Sequence, residues 1–100
     1  RGTPVLVSLT TWESEPAAAA FADAYARLLP RKHALGPPST SEPGLTAWHA
    51  DPQGFAVERR GSEVLLIERA PIATLETLRR ATWQSRPSPS PSGPPPGPAR

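Results

Sequence analysis

Apolar and polar side chains alternate from the start of the chain. Val5, Val7, Leu9 and Thr11 fall on one face of an extended segment, and Leu6, Ser8, Thr10 and Trp12 fall on the other. A period of two rich in β-branched residues predicts a strand with one buried face. The period then changes without an intervening loop. Ser14 stands where an N-cap belongs, with Glu15 and Pro16 in the first turn, where a carboxylate meets the positive helix end and a missing N–H costs nothing. From Ala17 the apolar positions Ala17, Ala20, Phe21, Ala24, Tyr25 and Leu28 recur at spacings of three and four. This predicts an amphipathic helix anchored by Phe21, Tyr25 and Leu28, with Asp23 and Arg27 paired at i,i+4 on its outer face. Pro30 is expected to stop it, ahead of Arg31 and Lys32.

Residues 31–44 turn to Pro, Ser, Gly and Thr and read as a long surface loop. A short strand follows at Leu45–Ala50, then Asp51-Pro52-Gln53-Gly54 as a type I turn, then an alternating strand at Phe55–Arg60. Gly61-Ser62 suits a two-residue hairpin turn. In the next strand, Glu63–Arg69, the run Val64, Leu65, Leu66, Ile67 has no polar alternate, so this strand is expected to be central and covered on both faces or paired across an interface. Pro71 opens a last helix on which Ile72, Leu75, Leu78 and Thr82 align. The order β-α-β-β-β-α predicts a small α+β domain over residues 1–85. Its antiparallel sheet should have about four strands, with both helices on one face. Residues 86–100 hold seven prolines and no large apolar residue, which predicts a disordered, polyproline II-sampling tail.

Charge narrows the partners. The net charge of +2 comes from Arg86 and Arg100, because residues 1–85 balance nine basic against nine acidic side chains. The basic residues form only the pairs Arg31/Lys32, Arg59/Arg60 and Arg79/Arg80, without interleaved aromatics, so nucleic acid is not expected as a partner. The absence of cysteine excludes disulfides, thiolate metal sites and a cysteine nucleophile. No apolar stretch is long enough for a membrane-spanning helix.

Candidate chemistry is sparse. His33 and His49 lack further ligands at metal spacing, so no metal or cofactor is expected, and His33 reads as a cation at the helix end. Glu13 and Glu15 are the one close carboxylate pair, and their place before a helix explains them. A free-standing hydrolase would have to use Glu13, Glu15 and His49 together. Three tryptophans remain as candidate partner contacts: Trp12, at a strand-to-helix corner, reads as packing, Trp48 lies on a short strand, and Trp83, at the end of the last helix, is the one expected to face a partner.

Trp12-Glu13-Ser14-Glu15 followed by Ala19, Phe21, Ala24 and Tyr25, and then the hairpin Val57–Gly61 into Val64–Glu68, resembles the C-terminal region of bacterial secreted or lipoprotein-type proteins similar to zinc metallopeptidases. The HExxH zinc motif of such proteins is absent here, so the resemblance carries over no catalytic or metal-binding residue. It implies a non-catalytic accessory domain in the C-terminal part of a larger exported protein, extracellular or periplasmic, contacting an upstream domain or another protein. The alternatives are the hydrolase above and a binding module whose proline-rich tail is a polyproline II ligand, its Arg86 and Arg100 flanking PxxP spacings.

Overall fold

The computed structural model describes residues 4–85; the segment 86–100, with the tail and its ligand role, lies outside them. The strands are β1 (Leu6–Thr11), β2 (Thr40–Glu42), β3 (Leu45–Ala50), β4 (Gln53–Arg60) and β5 (Glu63–Pro71), and the helices are α1 (Glu15–His33) and α2 (Ile72–Ser85). The five strands form one antiparallel sheet in the order β1-β5-β4-β3-β2. The fold is α+β, with one strand more than the pattern predicts. The extra strand, β2, lies inside the presumed loop: Thr40 faces Ala47 and Glu42 faces Leu45, joined through Pro43 and a Gly44 at φ 81°. Backbone pairing alone makes that strand, so no apolar alternation announces it.

The start of α1 is as expected, since Ser14 Oγ accepts from the Ala17 N–H at 3.1 Å. Its end differs. Pro30 lies inside the helix, which runs on to His33 and closes at Ala34 in the left-handed region, with the Leu35 N–H donating to Pro30 O at 2.9 Å. A proline in the last turn forfeits one hydrogen bond but leaves the C-terminal carbonyls free to be capped. The buried stripe is also rotated by one residue. Ala18 and Leu29 are fully buried, with Phe21, Ala22, Tyr25 and Ala26 packed beside them, while Leu28 is 47% exposed. In a helix so rich in alanine the small residues do not mark a face, and the sheet decides which side goes inward.

The two helices lie on opposite faces of the sheet, not on one. Val64 and Leu66 of β5 pack with Phe55, Val57 and Trp48 under α1, whereas the alternate residues Leu65 and Ile67 pack with Ala47 and Ala56 under α2. The uninterrupted run in β5 is therefore covered on both sides, and β5 sits between β1 and β4. Bulk is complementary across the layers. On the α1 face the sheet supplies large side chains to an alanine-rich helix; on the α2 face Leu75 and Trp83 come down on Ala47, Ala56 and Ala70. Gly54 completes that small-residue floor, because a Cβ there would stand 2.8 Å from Leu75 Cδ2.

The connections set two further details. Between β3 and β4 the turn is Asp51-Pro52 with a cis peptide bond, placing proline third in the turn rather than second, so it is not of type I. Between β4 and β5 the pairing slips: Ala56 faces Ile67 but Gly54 faces Ala70, so Glu68 and Arg69 together oppose Phe55. Arg69 absorbs this bulge at φ 67°. Ala70 is thereby returned to the α2 face with Leu65 and Ile67.

Candidate functional site

The bulge in β5 brings a carboxylate under α1. Glu68 shares the inward parity of Val64 and Leu66 and is 3% exposed. An isolated buried carboxylate would be costly, and helix α1 supplies its donors from one side. The Tyr25 hydroxyl donates to Glu68 Oε2 at 2.7 Å, and on Oε1 converge His33 Nε2 at 2.9 Å and Lys32 Nζ at 3.4 Å. Burial pushes the Glu68 carboxyl up, but the hydrogen bonds from Tyr25 and His33 and the nearby Lys32 ammonium outweigh it and hold the group below the usual carboxylate range. Burial and the adjoining carboxylate push the Tyr25 phenol up to about 12. Because ionised Glu68 only accepts, His33 donates through Nε2, and its ring lies against Phe55 with centroids 4.7 Å apart. His33 stands at the helix end as expected, and its side chain, 8% exposed, is in addition a partner of Glu68. The run of α1 past Pro30 is what puts it there.

His33 also walls an open cleft of about 350 Å³, with Leu35, Ala50, Gln53, Phe55 and Arg69. The two bulge residues part company, with Glu68 held under the helix and Arg69 walling the cleft. The sequence offers Tyr25 only as a packing anchor and Lys32 only as a helix-end cation, and it marks neither Glu68 nor Arg69 as a site residue. The usable signal was a carboxylate at the inward parity of the most apolar strand, which must find donors on whatever covers it.

The opposite face holds a second buried carboxylate. Glu58, 8% exposed, accepts from Arg79 Nη1 at 2.6 Å and Trp83 Nε1 at 2.7 Å on Oε1, and from Arg60 Nε at 3.2 Å on Oε2. Arg60 also lies 4.5 Å above the Trp83 ring. Hydrogen bonding from Arg79 lowers the pKa of Glu76, and Arg79 itself is raised, chiefly by Glu76 and then by Glu58, against its burial. Trp83, expected to face a partner, is therefore an interior clamp at 4% exposure. Trp48 is interior as well, at 2%, with its Nε1 lacking a hydrogen-bond partner among the described residues. Trp12 packs on Phe21 at 4.6 Å between centroids and donates to Thr10 Oγ1 at 2.9 Å.

The residues a hydrolase would need do not converge. Glu15 lies by the β4–β5 turn, its Oε2 3.8 Å from where a Gly61 Cβ would be, while His49 faces Gly54 beside the β3–β4 turn. The length of β4 separates them, roughly 20 Å at the usual rise of a strand. Among the described residues no group of three or more His, Asp or Glu side chains is placed to hold a metal ion, and no helix is long and apolar enough to cross a membrane.

One surface remains. Among the described residues β1 pairs only with β5, which leaves its outer backbone groups without a strand partner there. Only Leu9 of its apolar residues packs on a core cluster; Val5, Leu6 and Val7 are 43%, 46% and 40% exposed, so the single buried face expected of this strand is not formed. The strand and the two residues before it, Pro4 and Val5, carry no charge.

A family model described as a domain of unknown function, DUF8575, matches residues 1–79, which takes in all five strands and the first half of α2. No curated protein and no solved structure matches the chain.

Proposed function

The chain belongs to the DUF8575 family, and from that premise we propose that it is a non-catalytic accessory domain that docks to the rest of an exported parent protein by accepting an extended, uncharged strand along β1. The observation that carries this reading is the β1 edge. Soluble proteins usually blunt an exposed edge with charge, proline or a bulge, and the six residues Leu6–Thr11 have none of these. Parity puts Leu6 on the α1 side and Val7 on the α2 side, so an added strand with apolar side chains would find cover on both faces. The resemblance of Trp12–Tyr25 and the β4–β5 hairpin to the C-terminal region of secreted metallopeptidase-like proteins supports the same placement, in the cell envelope or outside the cell.

Amide hydrogen exchange tests this by comparing Leu6–Thr11 in the natural gene product with the same strand in residues 1–100 alone. Slower exchange of β1 in the longer protein, abolished by Val7→Lys, is the expected result. Equal exchange would overturn the reading, as would a gene product holding no further domain. Protection that appears in residues 1–100 as concentration rises would assign the edge to self-pairing instead.

A further inference from the structure

Arg69 walls the cleft beside His33 with a cationic side chain. That side chain makes no hydrogen bond or ion pair among the described residues, yet the residue occupies φ 67°, a conformation glycine takes freely and a residue with a Cβ does not. For the bulge alone glycine would serve better. What arginine adds is a cationic side chain at a residue that walls the cleft of about 350 Å³ with His33, Leu35, Ala50, Gln53 and Phe55. The neighbouring carboxylate does not neutralise it, because Glu68 is turned under α1 and occupied by Tyr25, His33 and Lys32. The cleft thus offers a planar cation and the Gln53 amide beside the apolar surfaces of Phe55, Leu35 and Ala50.

We propose that this cleft binds a small organic monocarboxylate, with its carboxylate on the Arg69 guanidinium and the Gln53 amide and its apolar body on Phe55 and Leu35. The guanidinium fork matches the two oxygens of a carboxylate. A single unpaired cation balances one negative charge, not the two of a phosphate monoester. A volume near the lower end of ligand pockets suits a body of a few carbons. The proposal also accounts for an arginine where the backbone favours glycine, since strained positions persist where the side chain is needed.

Titration of the full chain with hexanoate, followed by amide resonances and by calorimetry, tests it. Hexanoate should bind saturably at millimolar concentration or below and shift the signals of Gln53, Phe55 and Arg69. Arg69→Gly and Arg69→Asn, both suited to positive φ, should weaken binding about tenfold or more while the melting temperature holds or rises. Hexanamide should bind at least about tenfold more weakly than hexanoate. The proposal is overturned if either variant binds hexanoate as the parent chain does, if hexanamide or inorganic phosphate binds as tightly, or if no saturation is reached by about 10 mM.

Discussion

Each face of the sheet buries one glutamate beneath one helix, and the two sites differ in what answers the charge. Under α2, Glu58 meets two arginines and an indole, drawn from both its own strand and the helix above it. Under α1, Glu68 meets a phenol, an imidazole and an ammonium, all carried by one helix. The first is a fixed clamp that locks a bulky helix onto an alanine floor. The second is a more open site, held from one side by a helix whose Lys32 is 48% exposed and whose His33 walls a cleft. The same carboxylate becomes structure or chemistry according to the partners the covering helix brings.

Removing the clamp should have the largest effect. Glu58→Leu sets an apolar side chain against the Trp83 N–H and the mostly buried Arg79, which keeps only its exposed partner Glu76, and should lower stability by about 3 kcal/mol in urea titration. Glu68→Leu should lose clearly less. Lys32 is 48% exposed and can return to water. Equal losses in the two variants would break the comparison.

Titration sharpens it. Glu68 is depressed in the folded state, so its contribution is present above the unfolded carboxylate range and is lost as pH falls through the folded value. Tyr25 moves from 10.0 to about 12, so its contribution is present below pH 10 and is lost as pH rises from there towards 12. Tyr25→Phe should lower stability at pH 7 by about 1.5 kcal/mol, remove its share of the alkaline loss, and shift the acid loss of Glu68 to higher pH. Stability measured by urea unfolding between pH 3 and 11.5 would show both changes. Unaltered acid and alkaline limbs in the variant would mean that the phenol does not hold Glu68.

Local chemistry made much of this fold legible and left the sites dark. The Ser14 cap and the Gly61 turn, with φ 61°, rest on short-range rules, and the Val64–Ile67 run required cover on both faces. That run was the signal against placing both helices on one side. Leu28 and Leu29 could not be ranked because every neighbouring turn of α1 offers an alanine in each direction. Glu58 and Glu68 look like ordinary polar residues near strand ends, since apart from Arg60 their donors lie 21 to 43 residues away and arrive only when the helices dock. The cleft depends on a bulge, which leaves no mark in a pattern of period two.

The smallest expected effect separates two tryptophans that the sequence presents alike. Both indoles are buried, but Trp83 Nε1 donates to Glu58 at 2.7 Å, whereas Trp48 Nε1 has no partner. Trp83→Phe removes a hydrogen bond to a charged acceptor and part of the ring beneath Arg60, and should lower stability by about 1.5 kcal/mol. Trp48→Phe also loses ring volume, which is destabilising, but it removes a buried donor whose desolvation nothing offsets. These terms oppose each other and are similar in size, so the net change should stay within about 0.5 kcal/mol. Parallel urea titrations give the difference directly. A loss at Trp48 as large as that at Trp83 would show that its N–H is satisfied in solution, with a buried water as the natural donor-bound partner.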